Sequence, residues 1–574
     1  SCQQGFLNSK ICSASPKLIS TSTTPNINSS SPASNSKLTF PPSTAEAIPP
    51  VIHTVAGNLV NWIEKEGGSV LSVYVSAETC TDSGQPCGWG LRSARDLSPG
   101  QQLIRLPLSC QLTYFDADEQ MAPEEEDTRL LRLIKAVPEE LWIAKLALKL
   151  LNQRSMGSES RYDTYIKNLP ATFPGIPTFF GKDAIDAIDY PPVVRQIQKR
   201  GSWMFKFSRD VLARLPGTSL DVFGGTLVDI NALGWACAAV SSRAFRTRGP
   251  SRPAAMLPLV DMANHSAFPN CEVRPLADSN GGIALVAKTS IPKDTPLTLS
   301  YGSNLGSDFL FLDYGFLDRP CPQPHEAVSL RFDPGLLQAG AFLSGAQGPS
   351  GKPVDPTLED WRLERLRSLG LVDTGADVEV TVRREGRSEV DGQGGLRANR
   401  HGGIDSDSND QDRDISNSNE LSDSEFKVLI DERLMAAARI MMAACESDLE
   451  GDSSSSPALS PLVPSSPPAL TPPLPASSFA TSAPSRQGGG LLWLDLATCR
   501  CVAGLLAIAL SNFKTTLEED TSKLQEAGVD PNLKLAIQFR MGKKRILKAA
   551  IRQVREVENL VITQMALTQN GGEE

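Results

Sequence analysis

Residues 257–266 read LPLVDMANHS. An apolar run ends in Asn264 and His265 side by side, in a chain of 574 residues with only four histidines. A carboxamide and an imidazole are compact groups that donate and accept hydrogen bonds. The pair could read the polar edge of a ligand, or it could be a turn with a capping side chain. Upstream, residues 87–90 read CGWG. Gly88 and Gly90 either make a turn or let the backbone approach a bound molecule closely. Arg243, in SSRAF, could pair with a core carboxylate such as Asp261. Tyr301 and Tyr314, in LTLSYGSNLGSDFLFLDYGF, could aim hydroxyls at a substrate or be satisfied core tyrosines. Each motif alone is compatible with both readings.

The elements that must position these residues follow from periodicity. Folded sequence begins near Val55, where GNLVNWIEKEGG puts Leu59 and Ile63 four apart, as on one helix face. VLSVYVSAE and QQLIRLPLS read as short strands around a glycine-punctuated turn. From about Leu130 the pattern turns helical, in LWIAKLALKLLNQR and again in GGTLVDINALGWACAAVSSRAF. Strand-like sequence returns at GIALVAKTS and TPLTLSYG. After Glu326 the chain reads as mostly helical. Strands, then helices, then strands, then helices give an α+β protein with a separate helical C-terminal domain.

Composition narrows the class. The length suits roughly two to four domains, and 40% hydrophobic with 21% charged residues is ordinary for a soluble globular protein. A net charge of −10 argues against general nucleic-acid binding. The eleven cysteines include no CxxC pair, so no structural metal site is expected and the thiols read as reduced. The longest uninterrupted apolar run, 502–510, is too short to cross a bilayer and reads as a buried helix; no membrane association is expected. Residues 1–45 carry no Asp or Glu, three Lys and twelve Ser. The segment 1–50 is therefore expected to be disordered and transit-peptide-like. Residues 385–424, rich in Asp, Ser, Asn and Gly, and 451–490, rich in Pro and Ser, read as solvated low-complexity inserts. The basic run Arg540, Lys543, Lys544, Arg545, Lys548, Arg552 and Arg555 reads as a solvated helix face, or alternatively as a dock for an acidic protein surface.

Taken together and in order, GWGLRSARDLSPGQQLIRLP, SSRAF, LPLVDMANHS and LTLSYGSNLGSDFLFLDYGF resemble the SET-domain protein methyltransferases. They are most similar to the plant-type group of Rubisco large-subunit lysine methyltransferases, which also has an actin-histidine methyltransferase branch. The resemblance implies a SET domain of short strands over 55–320, split by a helical insert at about 130–235. A mostly helical substrate-binding domain over 325–565 would follow, carrying the two inserts.

The resemblance also implies a reaction. The cofactor would be S-adenosylmethionine, with no metal and no covalent enzyme intermediate. Cys87, Gly88, Trp89, Arg243, Asn264, His265 and Tyr314 would line the cofactor pocket; Arg243, Asp261, Tyr301 and Tyr314 would meet the substrate. Tyr301 would be catalytic, its hydroxyl beside the target nitrogen, and Tyr314 would close the pocket. An apolar channel disfavours the ammonium form of a target lysine, whose unperturbed pKa is about 10.4. Position 87 departs from the pattern: Cys stands where close relatives often carry Glu, so a contact there falls to the backbone. The implied partner is a protein bearing the target lysine, and the chain is expected to act as a monomer. The transit-like N-terminus favours the chloroplast stroma over the cytoplasm. The alternatives are a histidine methyltransferase of the same fold and a non-catalytic SET-like binding module.

Overall fold

Leu59 and Ile63 do share one buried helix face, on Ile52–Lys65. The helix stops at Gly67, whose φ is 86°, and Ser69–Val70 then enters a sheet. The computed structural model describes residues 52–80, 86–114, 127–246, 254–276, 281–302, 306–318, 326–348, 351–372, 376–383, 426–449 and 492–570. The N-terminal 50 residues and both low-complexity inserts lie outside the described residues. The chain forms two units, Ser1–Phe173 with Lys199–Tyr301, and Pro174–Gln198 with Gly302–Glu574.

The first unit is built from short strands. One antiparallel sheet runs Ser69–Val70, Gln102–Leu106, Ile283–Ala287, Cys271–Pro275. Its strand Ile283–Ala287 is buried at every position, which explains why GIALVA is apolar without alternation. The strand Val73–Cys80 pairs with Pro86–Ser93, in step from Val73 opposite Ser93 to Ser76 opposite Gly90. The register then shifts, so that Thr79 faces Gly88. Leu112–Thr113, Ala255–Met256 and Ala244–Phe245 form a third small sheet. Asn264–His265 and Thr298–Leu299 form a parallel pair.

Helices supply the mass these strands need. Trp142–Ser155 packs on Ile230–Arg243. It is buried from Trp142 to Gln153, including Lys145, whose ammonium reaches Glu139. Ile230–Arg243 starts where Asp229 accepts the backbone N–H of Ala232 at 2.8 Å, an N-cap that satisfies one orphan donor. Its last residue is Arg243.

The second unit is helical, with one feature the sequence pattern did not reveal. Ala327–Arg331, Asp377–Arg383 and Lys427–Ile430 make a three-stranded antiparallel sheet, with Asp377–Arg383 in the middle. Its main helices are Pro334–Ser344, Glu432–Met442, Leu492–Ser511 and Pro531–Asn570. Two cross at glycines: a Cβ on Gly504 would lie 2.8 Å from the Gly340 carbonyl oxygen. The apolar run 502–510 belongs to the 20-residue helix Leu492–Ser511, long and apolar enough by length and composition to cross a membrane. The nine-residue run undercounts it because its flanks are helical too. In the structure this helix packs between Pro334–Ser344 and Pro531–Asn570, and its fully buried Asp495 pairs with Arg439.

The basic run is not a solvated face along its length. Arg540, Lys543 and Lys544 are buried. Asp520 accepts from Arg540 at 2.6 Å and from Lys544 at 2.7 Å. Burial pushes the Asp520 carboxyl up, but these bonds and one from Thr515 hold it below the usual carboxylate range. Lys543 pairs with Asp308, lies 3.3 Å from Glu326, and donates to the Ala327 carbonyl at 2.8 Å. Lys548 and Arg555 are exposed. Three of the seven cations are therefore internal counter-charges, because carboxylates from distant sequence meet them.

Removing one partner of a buried ion pair strands the other. Lys543→Met should lower the unfolding free energy by about 3–5 kcal/mol, measured by chemical denaturation. Lys548→Met, on the exposed side, should leave it within about 0.5 kcal/mol of the parent.

Candidate active site

The turn Val260–Met262 delivers Asn264 and His265. It opens on Leu259, whose φ of 69° is an uncommon conformation for a branched residue. Beyond it the chain extends, and Asn264 and His265 bridge in parallel to Thr298 and Leu299. The pair is thus strand rather than capped turn, and both side chains are half-buried.

Asn264 is tied to the far hairpin. Its Nδ2 donates to Thr79 Oγ1 at 2.8 Å and to the Trp89 carbonyl at 3.4 Å. Thr79 Oγ1 in turn donates to the Gly88 carbonyl at 2.6 Å. Gly88 has φ 74°, which favours glycine. Gly90 is glycine for a different reason: a Cβ there would sit 2.6 Å from Asn264 Nδ2 and 2.8 Å from Thr79 Cγ2. The Oδ1 of Asn264 has no hydrogen-bond partner among the described residues. Trp89 is 41% exposed, so the arch carries an open aromatic face. Cys87 falls in the strand Pro86–Ser93 at the register shift, between the paired positions Pro86 and Gly88.

His265 is tied to Tyr301. The Tyr301 backbone N–H donates to His265 Nδ1 at 3.2 Å, and the two rings lie 5.1 Å apart. The Tyr301 hydroxyl donates to the Ala263 carbonyl at 3.1 Å. The phenol is therefore held at both ends by residues 263–265.

Beneath the pair lies a buried charge cluster. Asp261 accepts the Tyr165 hydroxyl at 2.7 Å, and Arg243 reaches its Oδ2 at 3.4 Å and its carbonyl at 3.3 Å. The Asp261 side chain is 1% exposed. Burial raises its carboxyl above the usual range, with Arg243 and Tyr165 pulling the other way. Burial acts to lower the Arg243 guanidinium, but Asp261, Tyr165 and Tyr301 together outweigh it and the net direction is up. The Tyr165 hydroxyl is pushed well up by burial, then by Asp261. Arg243 Nε is buried with no hydrogen-bond partner among the described residues.

Seven of the residues singled out from sequence thus come together in the first unit: Gly88, Trp89 and Asn264 in one set of bonds, His265 and Tyr301 in a second, and Arg243 and Asp261 in the buried cluster, with Cys87 beside Gly88 in the strand. The Asp261 carboxylate is already engaged by Tyr165 and Arg243. Tyr314 belongs to the second unit, closing the wide turn Leu310–Tyr314 with its ring 5.8 Å from Phe309 and 6.3 Å from Phe316. Sequence reading did not single out Thr79 or Tyr165: each is one polar residue in an ordinary strand or helix, and its partner lies 185 or 96 residues away.

Comparison with known proteins gives two family matches. Residues 88–302 match the SET domain, and residues 400–547 match the Rubisco LSMT substrate-binding domain. The chain belongs to the SET-domain proteins of the Rubisco LSMT type. Among solved structures of this type, the SET domain of LSMT bound to lysine and AdoHcy superposes with a TM-score of 0.53 at 16% identity, covering 89% of this chain and 93% of that one. Rubisco LSMT bound to AdoMet gives a TM-score of 0.52 at 16% identity, covering 88% and 93%. At such identity the likeness is one of fold. A 50-residue stretch is 42% identical to the chloroplastic [fructose-bisphosphate aldolase]-lysine N-methyltransferase of Arabidopsis thaliana, covering 9% of this chain and 10% of that protein. The match spans about a tenth of that curated relative.

Gly90→Ala tests the arch. The added methyl should push Asn264 and Thr79 apart and cost about 1–3 kcal/mol, read as a lowered midpoint of denaturant unfolding. Gly181→Ala, with nothing within 4 Å of its Cβ position, is the matched control and should change little.

Proposed function

We propose that this chain is an S-adenosylmethionine-dependent protein-lysine N-methyltransferase whose substrate is a chloroplast stromal protein. The observation that carries the reading is the closed circuit Gly88–Thr79–Asn264 and His265–Tyr301–Ala263 in a protein of the SET, Rubisco LSMT type. The stromal location draws on the acid-free N-terminal composition and on the chloroplastic relative. Two structures of this fold were solved with AdoMet or AdoHcy bound.

The residues present suit such a cofactor. A sulfonium nucleoside has an adenine, an ammonium and a carboxylate to satisfy. Asn264 Oδ1 is an open acceptor, the Trp89 ring an open apolar face, and the positive-φ arch at Gly88 brings main chain to the surface. Asn264, His265, Trp89 and the backbone of Cys87 and Gly88 would hold it, with Arg243 behind them. Bound there, it supplies a methyl group activated by a sulfonium sulfur.

Tyr301 does the orienting. Its single hydroxyl hydrogen is committed to the Ala263 carbonyl, so toward an amine Oη can act only as an acceptor. An Oη that can only accept directs an N–H of the target amine, which turns the nitrogen lone pair away from the phenol. Near neutrality that amine must first lose a proton; burial beside apolar side chains and a positive sulfonium disfavours the ammonium and promotes the loss. Alignment and fixed dipoles, rather than a covalent enzyme intermediate, then account for rate.

Three measurements test the reading. Purified chain, labelled cofactor and stromal protein should yield a methylated lysine by mass spectrometry; no transfer to any stromal protein would overturn it. Asn264→Ala should weaken cofactor binding by about tenfold or more in calorimetry. Tyr301→Phe keeps the ring and should bind cofactor normally, while single-turnover methyl transfer falls roughly 10²–10³-fold.

A further inference from the structure

We infer that Tyr165 is a positioning residue for the cofactor site, acting through Asp261 on the turn that presents Asn264 and His265; this rests on the methyltransferase reading above. Tyr165 lies on the helix Asp163–Lys167, within the stretch expected to be the helical insert. It is 2% exposed, and its hydroxyl donates to Asp261 Oδ2 at 2.7 Å. Asp261 sits in the turn Val260–Met262, three residues before Asn264.

That turn needs holding. It begins at Leu259 with φ 69°, a conformation unfavourable for a residue with a side chain. Asp261 fixes it from three sides. Its backbone N–H bonds the Leu257 carbonyl at 2.9 Å, its carbonyl accepts from Arg243, and its carboxylate takes Tyr165 and Arg243 together. The groups facing the carboxylate are Tyr165 from its helix and Arg243 from the end of Ile230–Arg243; Tyr301 acts on Arg243 in turn. Arg243 at 3.4 Å is a loose partner, so the short bond from Tyr165 is the contact that fixes where the carboxylate points. Displacing it moves the turn, and Asn264 then loses its line to Thr79.

The coupling has a pH signature that packing alone lacks. The Tyr165 bond favours the ionised carboxyl, opposing the burial that raises it. Without the hydroxyl, Asp261 takes a proton at a higher pH. A protonated Asp261 no longer pairs with Arg243, so the turn loosens as pH falls and is restored as pH rises.

The test is calorimetric binding of S-adenosylhomocysteine to full-length wild type, Tyr165→Phe and Asp261→Asn from pH 5.5 to 8.5. Each variant is expressed as a ratio to wild type at each pH, so that the ligand's own titration cancels. Tyr165→Phe should bind about tenfold more weakly near neutrality, with the deficit widening toward acid. Asp261→Asn keeps the shape without a titrating group; its absolute affinity should be weak across the range, and its deficit should narrow toward acid as wild-type Asp261 itself protonates. A Tyr165→Phe protein that melts lower yet binds with the wild-type constant at every pH would reduce Tyr165 to packing and overturn the inference. If Tyr165→Phe does not fold, Asp261→Asn decides alone: wild-type affinity at every pH overturns it. Absence of binding by wild type would instead strike at the methyltransferase reading.

Discussion

Asn264 can sit where it does only because residue 90 has no side chain. The carboxamide lies against the main chain of the hairpin, with its Nδ2 only 2.6 Å from the point a Cβ would occupy, and bonds Thr79 across a register shift. Everything else in the first unit's site follows from that approach. The strands are two residues long at Asn264–His265 and at Thr298–Leu299, far too short to be stable by themselves. Their place is set by what they touch: Thr79 on one side, Tyr301 on the other and the Asp261 turn below. A site made of such short pieces is rigid only as a closed loop of contacts, and the loop closes at Gly90.

Both units bury charge, and in both the charge marks a place where distant segments must meet. Taking ions from water is expensive, and the attraction between them repays it only with good geometry and further hydrogen bonds. Asp520 meets that condition with Arg540, Lys544 and Thr515. Lys543 meets it with Asp308, Glu326 and the Ala327 carbonyl. Asp261 meets it less fully, with a short bond to Tyr165 and a long one to Arg243, and burial still raises its carboxyl. Of the two carboxylates Asp520 and Asp261, the less compensated is the one under the candidate active site, which is where shifted titration and function tend to coincide.

What was legible in the sequence divides by distance along the chain. Leu59 and Ile63 are four apart, and helix geometry alone puts them on one face. The strand sequence around Ile283–Ala287 is equally local. Asn264, His265 and Tyr301 stood out through the order of several motifs, a pattern that no single spacing carries. Thr79 and Tyr165 did not, since their roles rest on partners far away and nothing in VYVSAETC or RYDTYIK announces one. The C-terminal sheet was hidden for a related reason: Asp377–Arg383 and Lys427–Ile430 pair across more than 40 residues of low-complexity sequence, so no hairpin turn signals them. Charge misled in the same way. Lys543 and Lys544 looked solvated because composition shows the cations and not the carboxylates that meet them.

The Tyr301 phenol ties these points to chemistry. A tyrosine hydroxyl can donate once and accept, and which of these a substrate meets depends on where the hydrogen is spent. Here it is spent on the Ala263 carbonyl, one residue before Asn264, where the Asp261 turn passes into the strand. The residue that would orient the amine and the residue that would hold the cofactor are therefore set by one piece of backbone. A shift of that backbone would move both together and preserve their separation, whereas a shift of Tyr301 alone is resisted by His265 Nδ1 on its amide. For a displacement in which two reacting atoms must stand in line, mutual position matters more than absolute position. A common anchor secures it with few contacts.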